Sequence, residues 1–94
     1  MWFNGANTLM QKMTNAQASR LLSTLGDVAG AGNSVGYIKR DKREMELSLW
    51  ISKHTKRCLD WLFDKNISYT YTAIKDSEGC VYHYIKIVWS DDFS

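Results

Sequence analysis

The chain has 94 residues, a formal net charge of +2 and 23% charged residues, the profile of one ordinary globular domain spanning 1–94. No apolar run approaches the roughly 20 residues of a membrane span and no basic-then-apolar signal segment opens the chain, which excludes a membrane partner and predicts a cytoplasmic location. Its two cysteines, Cys58 and Cys80, lack any C-x-x-C spacing, which excludes a disulfide framework or a zinc site.

Charge is unevenly distributed. Residues 34–66 hold eight Lys/Arg against five Asp/Glu, and residues 67–94 hold two against four. A basic middle could favour a polyanion, but a solvated mixed-charge surface is the preferred reading.

Residues 1–13 form an N-terminal extension ahead of a core at 14–89. Trp2 and Phe3 are too apolar for a plain solvated tail and suit a surface groove or a partner, while Leu9, Met10 and Met13 offer a backward extension of the next helix. Thr14 and Gln17 have the spacing of a capping box. Ala18, Leu21, Leu22, Leu25 and Val28 then fall on one helical face, and Gly30, Gly32 and Asn33 end the helix. The predicted helix covers 15–29.

Residues 34–40 and 44–51 read as a hairpin. Met45, Leu47, Leu49 and Ile51 alternate with Glu44, Glu46, Ser48 and Trp50, the period of a half-buried strand. A single helix over 43–65 is the competing reading, but it would wrap these apolar residues around its axis. Pairing Arg40 with Glu44 sets Val35 opposite Leu49 and Tyr37 opposite Leu47, which gives both arms one apolar face. The tip then presents Lys39, Arg40, Lys42 and Arg43 to solvent.

A second helix follows over 53–65, with Ser52 or Thr55 as candidate cap. Thr55, Cys58, Leu59, Leu62 and Phe63 make its apolar stripe, so Cys58 reads as a small buried hydrophobe. The last hairpin joins 67–76 to 80–89 through Ser77-Glu78-Gly79, a three-residue loop with glycine third. Its register pairs Asp76 with Cys80. Ile67, Tyr69, Tyr71 and Ala73 then share a face with Trp89, Ile87, Ile85 and His83, and Thr70, Thr72, Ile74, Tyr82, Tyr84 and Lys86 take the other. Residues 90–94 read as an acidic tail.

The expected fold is therefore α+β: a four-stranded antiparallel sheet with two helices on one face, in the order αββαββ. The opposite face keeps Ile38, Trp50, Tyr82 and Tyr84 among polar side chains.

That order, with the stretch Leu22-Ser23-Thr24-Leu25-Gly26-Asp27-Val28-Ala29-Gly30, resembles a half-domain of the LAGLIDADG homing endonuclease family. Leu22, Leu25, Asp27 and Gly30 match the family's helix by letter. YIKRDKREMELSLWIS resembles its first hairpin and KHTKRCLDWLF its second helix, so the likeness covers about residues 18–89. It implies pairing of two half-domains through these helices, with sheets forming a saddle over DNA. The small residues Ser23, Gly26, Ala29 and Gly30 would then form a homodimer interface. The family's metal-binding Asp is replaced by Ala29, whose methyl group cannot ligate a cation, so the resemblance implies a degenerate, non-cleaving relative.

Nucleic-acid contacts would come from Lys39, Arg40, Lys42, Arg43, Lys53, Lys56, Arg57 and Lys86, with Tyr82 and Tyr84 stacking. Glu44 and Glu46 oppose this. His54 and His83 have no partner at metal-ligand spacing, His83 on the apolar strand face reads as a satisfied core histidine, and no nucleophile–base motif, P-loop or Rossmann fingerprint occurs. No metal, cofactor or catalytic residue is expected. Two functions stay open. One is a non-catalytic nucleic-acid binder working as a dimer. The other is a phage or mobile-element protein that docks Trp2, Phe3, Trp50, Trp61, Tyr82 or Tyr84 onto a host protein and inhibits it.

Overall fold

A computed structural model describes residues 11–30 and 32–90. The expectations for Trp2, Phe3, Leu9 and Met10 and for the acidic residues 91–94 lie outside the described residues. Seven elements follow in order: β1 (Gln11–Lys12), α1 (Asn15–Ala29), β2 (Ser34–Lys39), β3 (Glu44–Leu49), α2 (Ser52–Asp64), β4 (Thr70–Lys75) and β5 (Val81–Ser90). The α+β order αββαββ is present, preceded by a short extra strand. The sheet therefore has five strands and is mixed. Its antiparallel backbone is β2-β3-β5-β4, and β1 runs parallel to β5 beyond the start of β4.

α1 starts as its sequence dictates. Gln17 N donates to Thr14 Oγ1 at 3.1 Å and Thr14 N donates to Gln17 Oε1 at 2.8 Å, a reciprocal capping box. Met13 does not extend this helix. Its N–H donates to Ser90 O, which continues the β1–β5 pairing and carries the side chain into the core. Ala18, Leu25 and Ala29 of α1 are fully buried, with Leu21, Leu22 and Val28 packed beside them.

α2 lacks the side-chain cap expected of Ser52 or Thr55. Ile51 takes the cap position, Thr55 Oγ1 donates to Ile51 O at 3.0 Å, and Ser52 Oγ turns towards His83. Thr55, Cys58 and Leu62 are buried, but Phe63, expected in the stripe, is 64% exposed. The Cys58 thiol lies 3.6 Å from Leu25 O, so the two helices meet over a small side chain. Burial pushes that thiol up to about 11.

Both helices cover one sheet face. Met45, Leu47, Leu49, Ile85, Ile87 and Trp89 fill it, and each large side chain removed from water there contributes roughly 1.5–3 kcal/mol. The strand pattern of 44–49 rules out the single long helix.

The β4–β5 hairpin keeps the expected register, with Lys75 opposite Val81 and Asp76 N donating to Cys80 O. Gly79 has φ +89°, which its loop position requires, and Asp76 Oδ1 accepts from both Glu78 N and Cys80 N. β4 is shorter than expected. Residues 67–69 leave the ladder because β1 takes the place beside the end of β5, and Gln11 ties them down: Ser68 N donates to Gln11 Oε1 at 2.9 Å and Gln11 Nε2 donates to Val88 O at 2.6 Å.

The β2–β3 register differs by one residue from the sequence expectation. Ser34 faces Leu49, Gly36 faces Leu47 and Lys39 faces Glu44, so Val35 and Tyr37 point away from the helices. The loop holds four residues, Arg40–Arg43, and closes with Arg43 at φ +52°. The cause lies at Gly36. A Cβ there would stand 2.8 Å from Leu22 Cδ1 and 3.0 Å from Leu47 Cδ1, so these two side chains pack over the bare backbone and a side chain at 36 would have to displace them. The same shift turns Ile38, expected on the open face, towards the core.

Candidate binding surface

The sheet face that no helix covers is built in rows across the strands. Tyr37, Glu46, Lys86 and Thr70 form one row, and Val35, Ser48, Tyr84 and Thr72 the next. Ile74 and Tyr82 pair beyond them, and Trp50 follows the end of β3. Val35 is 59% exposed, Ile74 52%, Tyr37 46%, Trp50 44% and Tyr82 36%, which leaves apolar and aromatic side chains bare across the face.

The charges of this face cancel locally. Lys86 Nζ is 3.5 Å from Glu44 Oε2, Tyr37 Oη donates to Glu46 Oε1 at 2.6 Å, and Lys39 Nζ sits 5.6 Å from the Tyr37 ring centroid. The bond to Glu46, reinforced by its negative charge, raises the Tyr37 phenol above its ordinary value. The charge of Asp76 raises the Tyr82 phenol likewise. Tyr37, Lys39, Glu44, Met45, Glu46 and Lys86 enclose a dimple of about 50 Å³, the size of a water site rather than a ligand pocket.

The expected nucleic-acid contacts do not form one surface. Lys39 and Lys86 belong to the open face, but Arg40 Nη2 donates to Ser19 Oγ of α1 at 3.0 Å. Lys53, Lys56 and Arg57 lie on α2, behind the sheet. Lys56 pairs with Asp60 at 2.8 Å, and Arg57 Nη1 donates to Val28 O at 3.4 Å near the carboxyl end of α1. Lys42 and Arg43 remain with the tip, where Arg43 O accepts from Trp89 N. Tyr82 and Tyr84 do share the open face.

The expected helix-pairing residues separate in the same way. Ser23 is exposed and a Cβ at Gly26 would meet nothing within 4 Å, but Ala29 is fully buried under α2 and Gly30 caps α1 against the Asn33 side chain. With Ala29 sealed in the core, the four do not make one outward patch. Among the described residues no three His, Cys, Asp or Glu side chains converge as metal ligands.

The buried His83 expected from the sequence finds partners that the sequence reading did not name. His83, 8% exposed, has Tyr71 Oη 2.7 Å from Nδ1 and Ser52 Oγ 3.4 Å from Nε2, with the Tyr71 ring stacked on the imidazole at 5.9 Å. The order serine, histidine, third group resembles a hydrolytic triad in outline. Its contacts are unequal: Nδ1 is 2.7 Å from Tyr71 Oη and Nε2 is 3.4 Å from Ser52 Oγ, so the ring is held chiefly by the tyrosine. These contacts satisfy a buried histidine and pin β4 to the core. Their signal was the placement of His83 opposite Ala73 and beside Tyr71 in the register.

Comparison with protein-family models, curated proteins and solved structures finds no match to this chain.

Proposed function

We propose that this chain is a non-catalytic binding module that seats a partner protein on its open sheet face. The observation that carries the reading is the exposed group Val35, Tyr37, Trp50, Ile74 and Tyr82 on a face where Lys86 pairs with Glu44 and Glu46 is bound by Tyr37. Such a surface gains by burying apolar area and has little unneutralised charge to offer a phosphate backbone. The complementary partner is apolar where it meets β2, Trp50 and the Ile74–Tyr82 pair, with carboxylates at the margin that meet Lys42 of the hairpin tip. The free thiols of Cys58 and Cys80 suit a reducing compartment such as the cytoplasm. No helix among the described residues is long and apolar enough to cross a membrane.

A second reading is favoured by the basic tip at one end of the face that carries Tyr84 and, at its far end, Tyr82: a nucleic acid crosses the face, as in the half-domain that the sequence resembles. One experiment separates the two. Tagged wild-type protein and a Trp50→Ala/Tyr82→Ala double variant are compared for captured host proteins and for retention of single- and double-stranded DNA and RNA across a salt series. A captured protein lost with the double variant and retained with Lys42→Glu supports the first reading. Nucleic-acid retention with a steep salt dependence, lost with Lys42→Glu, replaces it with the second.

A further inference from the structure

All six residues of β4, Thr70–Lys75, are exposed, on both faces of the sheet. Neither helix covers the strand: Tyr71 is 41% exposed and Ala73 and Lys75 are bare on the helix side. Sheets normally protect such an edge with proline, a bulge, several charges or a covering element. β4 has the sequence Thr-Tyr-Thr-Ala-Ile-Lys, rich in strand formers, with a single charge at its end.

The hydrogen-bond phase of the hairpin says which groups the edge offers. Asp76 N donates to Cys80 O, so Asp76 and Cys80 form a hydrogen-bonded pair. Antiparallel ladders alternate, which turns the backbone of Thr70, Thr72 and Ile74 towards β5 and that of Tyr71, Ala73 and Lys75 outward. Among the described residues β5 is the only strand paired with β4.

We propose that this edge pairs with β4 of a second copy of the chain, antiparallel, about a two-fold axis at Ala73. The outward groups dictate that register. Only pairing Ala73 with Ala73 and Tyr71 with Lys75 engages all three outward residues of each strand, giving roughly six inter-chain hydrogen bonds. The side chains agree with it. Small Ala73 meets its own copy, Lys75 lies across from the Tyr71 ring, Thr72 faces Ile74, and no like charges stand opposite one another. A two-fold axis normal to the sheet keeps the two helix layers on one side. The two open faces then join into one continuous surface, and the assembly closes without leaving a β4 edge for further copies.

The interface is independent of the partner-docking reading and is tested separately by sedimentation equilibrium. The wild type should dimerise below about 100 µM. Ala73→Glu and Ala73→Lys each set like charges opposite themselves at the axis and should weaken the dimer by roughly tenfold or more, while their circular dichroism stays that of the wild type. An equimolar mixture of the two variants should restore the dimer, because opposite charges then meet at the same point. Trp50→Ala and Tyr82→Ala should leave it unchanged. A monomeric wild type at that concentration overturns the proposal, as does a dimer indifferent to both Ala73 variants, which would place the contact on α1 or elsewhere. Loss of the dimer with no recovery in the mixture would refute the two-fold register at Ala73.

Discussion

The two outer strands β2 and β4 have the same length and opposite circumstances. β2 lies on α1, with Gly36 held against Leu22 and Ile38 turned into the core. β4 lies on nothing. It is held by its ladder to β5, by the Tyr71–His83 contact, and at its start by the Gln11 amide. One edge is part of the core and the other is appended to it. An edge strand's tolerance to change is set by what lies beneath it, not by its place in the sheet.

The largest expected effect tests that difference directly. Gly36→Leu should destabilise the fold by about 3 kcal/mol, because α1 must retreat from β2, while Ala73→Leu on β4 should stay within about 0.5 kcal/mol. Urea denaturation measures both, and equal losses would erase the distinction. The next effect concerns the helix layer that supports β2. The Cys58 thiol is raised from its ordinary value near 9 to about 11, so above pH 9 the unfolded chain loses this proton before the folded one does. Stability should therefore fall as pH rises from about 9 to 11, by up to roughly 2–3 kcal/mol, and Cys58→Ala should flatten that part of the curve. The tyrosines Tyr37 and Tyr82 are also raised and contribute to the same decline, which the Cys58→Ala curve subtracts.

Effects on β4 should be smaller and local. Gln11→Ala removes bonds to two backbone groups, Ser68 N and Val88 O, and should cost about 2 kcal/mol, with amide exchange accelerating first at residues 67–71. Tyr71→Phe leaves His83 Nδ1 without its hydrogen-bond partner and should cost about 1 kcal/mol by denaturant titration. Thr72→Val, on the bare face of β4, should change the unfolding midpoint hardly at all, by less than about 0.5 kcal/mol. A large loss there would mean that β4 is covered in solution.

The contrast also explains what the sequence discloses. The β4–β5 register is legible because Gly79 marks the loop and a one-residue slip would expose Ile85, Ile87 and Trp89. In β2 the same logic fails. Val35 and Tyr37 look like inward residues, whereas the inward position belongs to Gly36, and glycine carries no hydropathy signal for the helix that approaches it. β1 is invisible because two polar residues, Gln11 and Lys12, make a strand only through a partner some eighty positions away. In the candidate site, strand parity places Tyr82, Tyr84 and Ile74 correctly, and Trp50 is exposed as expected. Sequence proximity joins Lys39–Arg43 to Lys53–Arg57, while the fold sets Lys39 on the open face and Arg40, with Lys53, Lys56 and Arg57 of α2, on the helix side.

The place of β5 has a consequence for how the chain reaches this state. It is the last of the described strands to be synthesised, yet it bonds to β1, β3 and β4 and supplies Ile85, Ile87 and Trp89 to the interior. Before residues 81–90 emerge, the nascent chain can form α1, the β2–β3 hairpin and α2, but their apolar faces have no completed sheet to close on. Assembly is therefore a late, cooperative step, and the interval before it leaves Leu25, Leu47 and Leu62 open to chaperones and to other nascent chains.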